Sequence, residues 1–111
     1  MLTNLFANLP EDLSEEIFEP LLKSGKVLIE RIVSYGHSSP AQGWYDQAQE
    51  EWVVLLKGEA KIRLRENDEL VHLQPGDFLH LPAHCCHRVE WTVPDTETIW
   101  LAVHISESEK S

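Results

Sequence analysis

From Lys26 onward the chain is a succession of short β-type runs broken by turn formers, and this pattern constrains the fold more than any other feature. The turns are marked by Gly36, Pro40, Gly58, Asn67-Asp68, Pro75-Gly76, Pro82 and Pro94-Asp95. Between them the sequence predicts strands near 26–35, 43–47, 51–57, 59–65, 69–74, 77–82, 87–93 and 97–105. Alternation is sharpest in Glu59 to Arg65, where Ala60, Ile62 and Leu64 share one face and charged residues take the other. Eight short strands of this kind close into a sandwich or barrel.

The stretch Trp52-Val53-Val54-Leu55-Leu56 is apolar on both faces. One face must line the interior, and the other needs cover from a second sheet, the N-terminal segment or another subunit. A homodimer is the economical expectation. Upstream, Leu13, Ile17, Leu21 and Leu22 recur at helical spacing after Pro10 and an acidic first turn, which predicts a short helix over 13–22, with Pro20 at its end and Gly25 beyond it. With 111 residues the chain fits a single domain, 1–111, comprising that helix, a barrel over about 26–105 and a polar tail at 106–111.

Charge excludes some partners. Nineteen acidic against nine basic side chains give a formal net charge of −10, a sign that repels nucleic-acid phosphates and anionic lipid. The acid gathers at Glu11, Asp12, Glu15, Glu16 and Glu19 and again at Glu107 and Glu109, as solvated segments do. No apolar run approaches the roughly 20 residues of a membrane span, and the N-terminus lacks the layout of a secretory signal, so a cytoplasmic location is expected. The two cysteines, Cys85 and Cys86, are adjacent and poorly placed for a mutual disulfide, which predicts free thiols.

Two segments carry a resemblance to a known family. In Gly76-Asp-Phe-Leu-His-Leu-Pro82-Ala-His84-Cys-Cys-His87 the spacing of glycine, proline and final histidine resembles the second motif of the cupin superfamily. In Trp44-Tyr45-Asp46-Gln47 through Glu51 to Gly58 the glutamate and glycine resemble the end of the first cupin motif. The resemblance places the family's metal-ligand positions on Glu51 and His87. The family's His-x-His pair would stand six and four residues before the glutamate, where this chain has Tyr45 and Gln47. His84 stands where the second motif has glycine, and neither Gly36 nor Gly43 lies at the family's usual distance ahead of the pair. The whole is similar to small single-domain bacterial cupins of the conserved-barrel type that lack the His-x-His pair.

For that group the resemblance implies a mainly β, jelly-roll barrel with an internal pocket for a small molecule, and no particular reaction. Two readings of the pocket stand side by side. In one, Glu51 and His87, supplemented by Gln47, Tyr45 and His84, hold a single divalent transition metal (Fe, Mn, Ni, Zn or Cu), which in an enzyme would act as a Lewis acid or bind dioxygen. In the other, the same residues form a metal-free hydrogen-bonded network that contacts a ligand directly, as in a sensor or binding module. Trp44, Trp100 and His104 are further pocket candidates. Ordinary core or strand roles compete for each of them, and for Trp91. His37, His72 and His80 carry no motif. The His84-Cys85-Cys86-His87 string is too compact to aim four side chains at one tetrahedral centre, so one cysteine is expected in the core and the other near the rim.

Overall fold

The computed structural model describes residues 2–38 and 43–106, and its regular structure is almost wholly strand. In chain order these are β1 (Ile17–Ser24), β2 (Val27–Ser34), β3 (Glu50–Lys57), β4 (Ala60–Leu64), β5 (Glu69–Leu73), β6 (Phe78–Leu81), β7 (His87–Thr92) and β8 (Thr98–Ile105). They form a five-stranded sheet, β1-β2-β8-β3-β6, and a three-stranded sheet, β5-β4-β7. All pairings are antiparallel. From β2 onward the chain crosses repeatedly between the two sheets, which is the jelly-roll arrangement. The turn expected at Pro40 and nearly all of the expected tail, with Glu107 and Glu109, lie outside the described residues.

Two expectations need correction. No helix forms over 13–22: residues 17–24 are strand β1, and among the described residues the only helical turn is the 3-10 turn Glu66–Asp68. Pro20 supplies the reason. It has no N–H for a helical bond, whereas an edge strand with an irregular register accommodates it, and the β1–β2 register does shift between Pro20 and Leu22. Downstream, Gly25 and Lys26 make a two-residue hairpin turn, with Gly25 at φ +56° in the first central position, where glycine is favoured. The acidic residues ahead of β1 form turns instead. Asp12 accepts a hydrogen bond from the Ser14 N–H (3.0 Å), which holds its carboxyl below the usual carboxylate range. The second correction concerns 43–47, which is reduced from a strand to a single antiparallel bridge between Tyr45 and His87.

The interior lies between the two sheets. Alternation on β3 sends Glu51, Val53 and Leu55 inward, and Trp100, Ala102 and His104 follow the same rule on β8. Val53, Leu55, Trp100 and Ala102 meet Ala60, Ile62, Leu73 and Leu81 in one buried apolar cluster. At the β3–β4 turn Gly58 has φ +94°, and a Cβ there would stand 2.8 Å from the Thr98 Cα, so the turn is pressed directly against β8.

Among the described residues, the N-terminal segment covers one end of the outer face of the large sheet. Arg31, 6% exposed, points away from the interior. Its guanidinium donates to the carbonyls of Leu5 (3.1 Å), Ala7 (2.7 Å) and Asn8 (3.1 Å) and to Glu19 Oε1 (2.7 Å). The N-terminal segment is thereby tied across β1 and β2. Farther along, Trp52 stacks at a tilt on Phe78 with ring centroids 5.4 Å apart, and Phe78 remains 63% exposed.

Candidate functional site

A cavity of about 120 Å³ opens between the sheets at the end opposite the packed core residues Leu55 and Leu73. Its apolar wall comprises Phe18, Ile32, Val53, Ile62, Leu81, Val89 and Trp100. Its polar wall comprises Glu16, Glu30, Tyr45, Gln47, Glu51, His87 and His104. Phe18 and Tyr45, both about half exposed, mark the mouth.

Sheet register explains why the polar groups converge. Glu51 on β3 stands directly opposite His104 on β8, and Glu30 on β2 is diagonal to His104 because its own partner is Ala102. A carboxylate, an imidazole and a second carboxylate thus run across three adjacent strands on the inward face. From the small sheet, β7 contributes His87 to the same cavity, and the isolated bridge sets Tyr45 beside it with ring centroids 5.6 Å apart.

Hydrogen bonds fix most of these groups. Gln47 Nε2 donates to Glu51 Oε1 at 2.8 Å. His104 Nε2 donates to Glu30 Oε1 at 2.8 Å, and Ser34 Oγ donates to Glu16 Oε2 at 2.6 Å. His87 Nδ1 lies 2.9 Å from the Cys85 carbonyl, which can only accept, so Nδ1 carries the proton and Nε2 keeps its lone pair in the neutral ring. By the same reasoning the neutral His104 ring has its lone pair on Nδ1, and that buried atom has no hydrogen-bond partner among the described residues. Glu51 and His87 are each 7% exposed and His104 is 8% exposed, so these three are the buried members of the polar wall.

Of the residues singled out by sequence, Glu51, His87, Gln47, Tyr45, His104 and Trp100 line the cavity, whereas His84 and Trp44 do not. The His84 side chain is 67% exposed and bonds to Asp46 Oδ1 at 2.8 Å. Trp44 lies beneath the Arg88 guanidinium, 4.6 Å from ring centroid to Cζ, and Trp91 beneath Lys61 at 5.2 Å. Cys85 packs against the core cluster, where burial, aided by Glu66 and then Cys86, pushes its thiol pKa up; both cysteines are free.

Sequence reasoning missed Glu16, Phe18 and Glu30. The first two fell within the expected helix. Glu30 left a signal: in Val27-Leu-Ile-Glu-Arg-Ile-Val33 two adjacent charged residues interrupt a buried strand, and alternation must turn one of them inward.

Comparison with known proteins agrees with this geometry. A search of curated proteins finds no match. Among solved structures, a Ralstonia eutropha JMP134 protein provisionally described as a mannose-6-phosphate isomerase shares 46% identity over 96% of this chain and 99% of its own, with a TM-score of 0.91. An RmlC-like cupin from Desulfovibrio desulfuricans (20% identity, 95% of each chain, TM-score 0.75) shares the fold. So does a cupin superfamily protein from Desulfitobacterium hafniense DCB-2 (21% identity, 89% of this chain and 84% of that one, TM-score 0.72). The profile of the cupin domain matches residues 32–104, which run from the end of β2 through β8 and include the whole small sheet and most of the cavity lining. The chain belongs to the cupin family.

Proposed function

We propose that the chain is a small-molecule-binding cupin whose cavity contacts its ligand by direct hydrogen bonds, without a resident metal ion. The observation that carries this reading is the state of the polar wall. Glu51 already accepts the Gln47 amide, and the two positions that would supply further imidazoles hold Tyr45 and Gln47. Transition-metal sites commonly gather three or more imidazole, thiolate or carboxylate donors. Among the described residues no group of three or more His, Cys, Asp or Glu side chains is placed to hold a metal ion. The donor set therefore does not fit the ion that cupins often carry. What it fits is a hydrogen-bonded network beside an apolar wall, the usual composition of a small-ligand pocket.

Elemental analysis of protein purified without a metal-affinity tag tests this. The expected result is substoichiometric Fe, Mn, Ni, Cu and Zn, with no rise in melting temperature on adding any of them. Stoichiometric metal that disappears in His87→Ala would overturn it.

The same reading includes a homodimer and a cytoplasmic setting. The outer face around Trp52, Val54, Leu101 and Phe78 would be covered by a second copy. Size-exclusion chromatography with light scattering should then give twice the 12.8 kDa chain mass, reverting to the single mass in Phe78→Asp. No helix among the described residues is long and apolar enough to cross a membrane.

A further inference from the structure

From the polarity of the cavity we infer that its ligand is a small organic amine, an ammonium group on an apolar body, rather than a phosphorylated or carboxylated compound. This rests on the reading of the cavity as a small-molecule pocket and names its ligand class.

Three observations carry it. First, the charges are of one sign: Glu16, Glu30 and Glu51 line the cavity, with no lysine or arginine among the lining residues. An anion there would meet three carboxylate side chains and no lysine or arginine, whereas a cation would be attracted by them. Second, the lining offers acceptors and few donors: one oxygen of each of Glu16, Glu30 and Glu51 takes no hydrogen bond from another described residue, and His87 Nδ1 faces the Cys85 carbonyl, which leaves Nε2 as an acceptor in the neutral ring. An ammonium, with three donors and no acceptor, complements such a lining. Third, the rest of the lining is apolar and interleaves with the polar groups on the same strands, and Phe18 and Trp100, with Tyr45, add aromatic faces that suit both a hydrocarbon body and a nearby cation. At about 120 Å³ the cavity holds roughly four waters at about 30 Å³ each, room for the ammonium and the first part of the hydrocarbon body, with the remainder lying in the mouth between Phe18 and Tyr45.

The test uses the full chain after treatment with a chelator and three probes: phenethylamine, its anionic counterpart phenylacetate, and mannose 6-phosphate. Binding is read by titration calorimetry and by tryptophan fluorescence, at low and at moderate salt. Phenethylamine is expected to bind saturably, more weakly as salt rises, and about tenfold to a hundredfold more weakly in Glu30→Gln and in Glu51→Gln. The two anions are expected to show no saturable binding. Binding of either anion at least as tight as that of the amine would overturn the inference while leaving a small-molecule pocket in place. Amine affinity unchanged in both variants, or the absence of amine binding to the unmodified chain, would also overturn it. The salt dependence and the three-probe comparison need no variant, so a substitution that impairs folding leaves the test intact. Stoichiometric bound metal is the separate result that removes the underlying reading.

Discussion

Glu30 and Arg31 are neighbours on β2, and they face two differently finished regions. Outside, Arg31 makes four hydrogen bonds, to three carbonyls and one carboxylate, and the N-terminal segment closes over it. Inside, Glu30 has one hydrogen bond among the described residues, to a histidine whose other nitrogen has no partner among them. A buried charge with its valences filled holds chain segments together. A buried acceptor wall left incomplete makes little contribution to folding and is available to something that brings donors.

If that contrast is right, the largest loss of stability should come from the outer residue. Arg31→Met should cost about 2–4 kcal/mol in urea melts, because several charge-assisted bonds disappear and the N-terminal segment is released. Limited proteolysis should then cut first within residues 2–16. A cost below about 1 kcal/mol would break the comparison. Glu19→Gln should cost less, about 1 kcal/mol, since that carboxylate is a third exposed and solvent weakens the pair. Glu30→Gln should change stability by less than about 1 kcal/mol in either direction, because the amide oxygen still accepts from His104 while a buried charge is removed. Smallest of all, His84→Ala should be neutral to within about 0.5 kcal/mol, its bond to Asp46 being exposed.

The strand pattern was legible because period-two alternation and turn formers are local. Seven of the strands read from residue 26 onward correspond to β2 through β8, within one or two residues at their ends. Residues 13–22 misled because Leu13, Ile17 and Leu21 also satisfy a helical period, and a short segment cannot decide between the two by spacing alone. Pro20 argues locally against helix, and the pairing with β2, a tertiary fact, makes residues 17–24 a strand. Within the pocket, Glu51, His87, Gln47 and Tyr45 could be named because the family motifs mark their positions. Glu30 reaches the cavity through the β2–β8 register, a contact across 74 positions of sequence that no local pattern contains. The exposure of His84 was equally invisible, since it depends on a turn in which that residue takes φ +62°.

The backbone of the segment bearing Tyr45 and Gln47 is held, among the described residues, by one isolated bridge to His87 and by the bond from the His84 N–H to the Gln47 carbonyl. Glu30, Glu51 and His104, by contrast, sit on strands of the large sheet that are paired on both sides. Those few backbone amides should therefore exchange with deuterated solvent well before the β3 and β8 amides, by a local opening that leaves the rest intact. A molecule in the cavity should slow that exchange, making the most lightly fastened part of the wall a reporter of occupancy.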